Sequence, residues 1–389
     1  MKIISVVGAR PNFMKIAPFI EAIKIHNKNN LSSKIDHILV HTGQHYDNNM
    51  SEVFFQSLNI PEVDIHLNIG SGSHAEQVGQ TMISFEKVLI DEDPDWVVVV
   101  GDVNATLACS ITAKKEKVKV CHIEAGLRSG DMAMPEEINR IVTDSISDLL
   151  LTPDILSSKN LEEEGKDINK ISFVGNIMID TLEANINKAS LLELNRILSD
   201  NLDSKDLILP TESIKDKYAV VTIHRPSNVD EEKNLSSLIN FFHNIASKNH
   251  VLIWPVHPRT KKQLEKFNLL EGIENNKNII LLRPINYHEM LKLNMDAIMM
   301  FTDSGGLQEE CCILGTPCIT LRDSTERPIT LRNNGGASVL VGNDINLLLK
   351  EYKTALNEKR NPKRPPLWDG FAAERSVKAL IDYPNLKKS

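Results

Sequence analysis

The sequence predicts an α/β protein made of two doubly wound parallel sheets, and three observations predict it. Short β-branched runs alternate with helical stretches from Lys2 to Val174. The alternation lapses in the polar run 199–216 and restarts at Tyr218. Several runs, Val97–Val100 above all, are apolar without any polar alternation, the pattern of strands buried on both faces of a parallel sheet. Ligands bind at the carboxyl edge of such sheets, so the residues just after each strand are the candidate site residues.

Composition narrows the function classes. With 389 residues the chain is long enough for two or three domains, each with its own core. A net charge of −8 gives no reason to expect nucleic acid or an anionic membrane as partner. No apolar run approaches the ~20 residues of a membrane span. Met1–Val7 enters a strand directly, so no signal peptide is expected. The five cysteines are odd in number and lack zinc-like CxxC pairs, which reads as buried reduced thiols in a cytoplasmic protein, with no metal site.

In the first half, Lys2–Val7 is the first strand and ends at Gly8-Ala9-Arg10-Pro11 before a helix carrying Lys15. A glycine turn between strand and helix leaves N–H groups for an anion, and Arg10 and Lys15 add charge. Asp36–Val40 is the second strand and runs into the polar loop His41–Asp47. Val97–Val100 ends at Gly101-Asp102, and a helix begins near Asn104. Val118–Ile123 is a buried strand that ends at Glu124. Pro135 opens a helix with Glu136, Glu137, Asn139 and Arg140. Asp102 has an alternative reading as a helix N-cap, and Glu136 and Glu137 as acids that favour a helix N-terminus. Glu124 has no evident capping duty. Acids converging on one sheet edge make an acid/base site. Leu149–Leu151 and Ile171–Val174 complete this half.

The second half repeats the design. Tyr218–Ile223 leads to His224-Arg225-Pro226, Val251–Val256 to His257, and Ile279–Leu282 continues the sheet. Ala297–Phe301 leads to Thr302-Asp303-Ser304-Gly305-Gly306 and a helix with Glu310, and Cys318–Leu321 leads to Arg322. Two glycines at a strand–helix junction let the main chain approach a diphosphate at the helix N-terminus. The alternative is a turn that only tightens strand–helix packing. Glu310, one helical turn on, is placed to accept from ribose hydroxyls, and Arg225 and Arg322 flank the turn on neighbouring loops. Domains are expected at 1–174 and 175–365, facing a central cleft with basic residues and glycines on one side and acids on the other. That arrangement points to a nucleotide sugar.

The motifs GARPNFMK (8–15), HTGQH (41–45), GDVNATLA (101–108), HIEAGLRSGD (122–131), PEEINR (135–140), VGN (174–176), HR (224–225), TDSGGLQEE (302–310) and LRDSTERP (321–328) occur in that order. Together they resemble the non-hydrolysing UDP-N-acetylglucosamine 2-epimerases over about residues 1–345. The resemblance implies the GT-B-like fold of two Rossmann-like domains, a C-terminal tail, 366–389, that crosses back to the first domain, a homodimer, and no organic cofactor. It implies elimination of UDP to 2-acetamidoglucal and readdition with C2 inverted, since no carbonyl acidifies the C2 proton. Asp102, Glu124 and Glu136 are then the acid/base set. His224, Arg10, Lys15 and Arg140 attend the diphosphate, with Gln44 of the HTGQH motif also at the substrate. Ser304, Gly305, Gly306 and Glu310 hold phosphate and ribose, beside Arg225 and Arg322.

Departures from the family pattern bear on the substrate. His224-Arg225-Pro226-Ser227 stands where many bacterial members read HRRE, and Tyr46-Asp47 follows the GQH where substrate-activated members carry a basic residue. These features resemble epimerases of UDP-2,3-diacetamido-2,3-dideoxy-glucuronate. Glu326-Arg327-Pro328 is more typical of the N-acetylglucosamine enzymes, so UDP-N-acetylglucosamine ranks first. A nucleotide-sugar glycosyltransferase is the alternative of a different class, and it would leave the three acids without a purpose.

Overall fold

The computed structural model describes residues 1–43, 62–203 and 214–383. The chain divides into two compact units, 1–184 with 365–389, and 185–364. The division falls inside the helix Ile177–Ser190 and not ahead of it at 174/175. The first half of that helix belongs with the first unit for a physical reason. Thr181 donates its hydroxyl to the Met14 carbonyl at 2.5 Å, and the Asp180 carboxylate accepts from the N–H groups of Ala372 and Ala373.

The first unit is a parallel sheet of seven strands: β1 (Lys2–Val7), β2 (Asp36–His41), β3 (Ile65–His66), β4 (Trp96–Val100), β5 (Lys119–Ile123), β6 (Leu149–Thr152) and β7 (Ile171–Phe173). Their order is β3-β2-β1-β4-β5-β6-β7, so the winding reverses between β1 and β4, which pair Ile3 with Trp96 and Val6 with Val99. Every residue of β4 is buried, as its unbroken apolar run requires. Ile4, Val6, Val97, Val99 and Val120 pack with Phe85, Leu89 and Cys109 into one core.

The C-terminal segment closes the first unit. Its helix Ala372–Asp382 packs on the helix Arg10–Asn29. Trp368 donates its indole N–H to the Pro153 carbonyl at 2.9 Å, and Tyr383 meets Trp96 edge to face. Gly175 sits at φ +88°, and a Cβ there would lie 2.1 Å from the Leu367 carbonyl oxygen, so only glycine fits under this crossing.

The second unit has six parallel strands: β8 (Tyr218–Thr222), β9 (Val251–Pro255), β10 (Ile279–Leu282), β11 (Met299–Thr302), β12 (Cys318–Thr320) and β13 (Ser338–Leu340). The order β10-β9-β8-β11-β12-β13 places its reversal between β8 and β11. Phe241, Phe242, Trp254, Phe301 and Tyr352 form an aromatic cluster on one face of this sheet. Burying each such side chain contributes roughly 1.5–3 kcal/mol. All five cysteines are buried free thiols. Among the described residues, no helix is long and apolar enough to cross a membrane.

Candidate active site

The reversal point of the first sheet assembles the acids. β1 and β4 lie side by side there, and Asn12 bridges their ends: its Oδ1 accepts from the Gly8 and Ala9 N–H groups, and its Nδ2 donates to the Val100 carbonyl at 3.0 Å. Gly101 turns the chain at φ +70°, and the space a Cβ would take there is bordered by Asn12 Nδ2, Lys15 Nζ and Glu124 Oε2 at 3.3–3.5 Å. Lys15, from the helix Arg10–Asn29, donates to Glu124 Oε2, and both side chains are buried. Glu124 itself lies at φ +72°, a left-handed conformation that costs a non-glycine residue about 1 kcal/mol or more and that gathers at functional sites.

Asp102 is not a helix N-cap. The helix Asn104–Lys115 is preceded by Val103, whose side chain makes no capping bond, and the Asp102 carboxylate instead accepts from Arg140 Nη1. Arg140 is itself buried on the helix Pro135–Ile146 and is gripped from its other side by Glu137. Glu137 also accepts from the N–H groups of Ser129 and Gly130. Burial opposes its ionisation, but these N–H groups and the guanidinium outweigh it and hold the carboxyl below its usual range. Glu136, the neighbouring residue, is exposed. Asn139 donates to the Asp102 carbonyl at 2.8 Å and fixes the backbone of that turn. Gln44 lies outside the described residues, as does the side chain of Arg10.

The second sheet repeats the scheme with one central acid. Asp303, fully buried after β11, accepts from the N–H groups of His224 (2.9 Å) and Arg225 (2.8 Å) and from Asn228 Nδ2 (2.9 Å). His224 Nδ1 lies 2.8 Å from its other oxygen. Burial works against the charge of Asp303, and these donors lower its pKa in spite of it. The carboxylate thereby orients His224 and leaves the opposite ring nitrogen for a ligand. Arg225 Nε donates to the Asp303 carbonyl at 3.0 Å.

Ser304 precedes the helix Gly305–Leu314 without capping it through its side chain. Gly305 is required by close approach: a Cβ there would lie 2.6 Å from Glu326 Oε1 and 2.8 Å from Arg327 Nη1. Glu326 is clasped by Arg322 Nη2 (2.6 Å) and Arg327 Nη1 (2.5 Å), while Arg327 Nε donates to Glu309 at 2.6 Å. Burial resists its ionisation, yet the two guanidinium groups hold Glu326 far below the carboxylate range. Arg322 Nη1 is buried with no hydrogen-bond partner among the described residues. Glu310 is buried near Tyr287 and Asn294, and that burial pushes its pKa up to about 7.

Thus the first unit brings together Lys15, Asp102, Glu124 and Arg140, with Glu136 exposed one residue from Glu137. The second brings together His224, Arg225, Ser304, Gly305, Gly306 and Arg322, with Glu310 buried a turn further along the helix. Sequence reasoning missed Asn12, Asp303 and the buried role of Glu137. Asp303 carried the same signal that singled out Glu124, an acid directly after a buried strand.

The family model described as UDP-N-acetylglucosamine 2-epimerase matches residues 27–381. A Methanocaldococcus jannaschii protein named UDP-N-acetylglucosamine 2-epimerase is 43% identical over 381 residues, covering 98% of this chain and 99% of its own. A Pseudomonas aeruginosa UDP-2,3-diacetamido-2,3-dideoxy-D-glucuronate 2-epimerase is 37% identical over 363 residues, 92% of this chain and 93% of its own. A crystal structure of the M. jannaschii UDP-GlcNAc 2-epimerase in complex with UDP-GlcNAc and UDP superposes with a TM-score of 0.85 at 42% identity, covering 98% of this chain and 99% of that one. With two parallel α/β sheets and these relatives, the chain is an epimerase that belongs to the UDP-N-acetylglucosamine 2-epimerase family.

Proposed function

We propose that this enzyme interconverts UDP-N-acetylglucosamine and UDP-N-acetylmannosamine by eliminating UDP and adding it back with C2 inverted, and that it acts as a cytoplasmic homodimer. The observation that carries the reading is the ring of charge around Gly101, where Asp102 and Glu124 each face a buried cation. A proton must leave C2 on one face and return on the other, which calls for more than one carboxyl group. Asp102, Glu124 and Glu136 supply them. The departing diphosphate needs stabilised negative charge. The N-terminus of the helix Gly305–Leu314, His224, Arg225 and Arg322 Nη1, which has no partner among the described residues, supply that. Arg10, Lys15, Arg140 and Gln44 are assigned to the substrate with them, and Glu310 to the ribose.

A second substrate, UDP-2,3-diacetamido-2,3-dideoxy-glucuronate, is favoured by the 37% identity to the P. aeruginosa enzyme and by Tyr46-Asp47 after the GQH motif, where substrate-activated UDP-N-acetylglucosamine enzymes carry a basic residue. A proton NMR time course with each UDP-sugar separates the two. Conversion of UDP-N-acetylglucosamine to an equilibrium mixture supports the first reading, and turnover of the diacetamido sugar alone replaces it with the second. Release of UDP only on addition of an acceptor would mark a glycosyltransferase.

A further inference from the structure

Beneath the acids lies a buried histidine–aspartate pair that the chemistry above does not use. His122, in β5, is completely buried, as is Asp144 on the helix Pro135–Ile146. His122 Nδ1 lies 2.6 Å from Asp144 Oδ1, and His122 Nε2 lies 2.9 Å from the Gly101 carbonyl oxygen. A carboxylate and a carbonyl are both acceptors, so the ring is held between two acceptors, one at each nitrogen. The second carboxylate oxygen of Asp144 accepts from the Gly126 N–H at 3.0 Å and from Arg128 Nη1 at 2.7 Å. Arg128 is tied in turn to Glu164.

These bonds join three elements at one point. Gly101 immediately precedes Asp102. Glu124 lies between His122 and Gly126, at the left-handed position of that turn. Glu136 lies in the first turn of the helix on which Asp144 sits two turns later. We propose that His122 and Asp144 are positioning residues for the epimerisation, a single hydrogen-bonded clamp that sets the mutual placement of Asp102, Glu124 and Glu136. The inference rests on the acid/base roles proposed above. Loss of His122 frees the Gly101 carbonyl and loss of the Asp144 carboxylate frees the Gly126 N–H, so either change relaxes an acid-bearing turn while the binding groups of the second unit are untouched. A displacement of about 1 Å at reacting groups costs on the order of 100-fold in rate.

The test compares the full-length wild type with His122→Gln and Asp144→Asn. UDP-N-acetylglucosamine turnover is followed by NMR, UDP affinity by calorimetry and folding by thermal melting. The expected result is a fall in kcat of about 10–100-fold in each variant, with KM and the UDP Kd within about twofold of wild type. Folded variants with unchanged kcat would overturn the proposal, as would losses of kcat and UDP affinity in equal measure, because those mark a general structural role. If Asp144→Asn does not fold, His122→Gln decides; failure of both to fold would assign the pair to stability alone and overturn the positioning role. A wild type inert towards UDP-N-acetylglucosamine would instead overturn the underlying reading, and the proposal with it.

Discussion

Glu137, and not its neighbour Glu136, holds Arg140: its Oε2 accepts from Arg140 Nε at 3.0 Å and from Nη2 at 2.6 Å. The two adjacent acids thus divide the labour, one locked into the fold and one facing solvent. Glu137→Gln should lower stability by about 3 kcal/mol or more, since it strands a buried guanidinium. Because the Glu137 pKa is depressed on folding, its contribution is present above the ordinary carboxyl value of 4.5 and is lost as pH falls below it. Thermal melts of the variant and wild type should therefore converge in acid. Glu136→Gln should melt like wild type and yet lose turnover about 10²–10⁴-fold. An active Glu136→Gln enzyme would remove Glu136 from the acid set.

Asp102→Asn and Glu124→Gln should each lose turnover to a similar degree while still binding UDP. Their stabilities should differ. Glu124 is the buried partner of a buried lysine, whereas the Asp102 side chain is 30% exposed. Glu124→Gln should therefore melt several degrees below Asp102→Asn, and equal melting temperatures would show that the Lys15–Glu124 pair is not energetically buried.

Much of this was legible in the chain. The expected strands Lys2–Val7 and Ile279–Leu282 match the observed limits, and most others shift by one or two residues, because parallel strands buried on both faces are written as apolar runs. The two-residue β3, with exposed His66, and the short β13 left no such run to read. Site residues that follow strands were visible, since the sheet edge alone locates them. Partners were not. Nothing in the order of residues says that His122 meets Asp144, or that Arg140 has Glu137 on one side and Asp102 on the other. Such pairings depend on the packing of a helix against the strand ends, and sequence periodicity carries only the face a residue lies on.

Gly305 and Gly306 are adjacent and chemically identical, but their surroundings separate them. A Cβ at 305 would press on the Glu326–Arg327 ion pair, whereas nothing lies within 4 Å of one at 306. Gly305→Ala should lower the melting temperature of the ligand-free protein. Gly306→Ala, inside the first helical turn, should leave it unchanged or raise it by an amount worth up to about 1 kcal/mol. Equal destabilisation by both would contradict the close packing over Gly305.

Glu310 gives a pH dependence of opposite sign to that of Glu137. Burial raises its pKa from 4.5 to about 7, so below 4.5 it is protonated in both the folded and unfolded chain and costs nothing. Between these values the unfolded chain releases the proton first, and stability falls as pH rises, by on the order of 3 kcal/mol in total. Glu310→Gln should escape this loss. Its melting temperature relative to wild type should climb from pH 5 to pH 8, and a flat difference would show that the carboxyl ionises as freely inside the fold as outside.

Elimination and readdition require the bond between sugar and UDP to break in each turnover, and isotopic labelling reads that cleavage. Substrate carrying ¹⁸O in the C1–O–P bridge is epimerised in D₂O, and both label positions are read by NMR. The expected product carries deuterium at C2 together with ¹⁸O scrambled into the non-bridging positions of the β-phosphate, because the freed diphosphate can rotate before it returns. Epimerised product that keeps its C2 protium and its bridging ¹⁸O would contradict elimination and readdition.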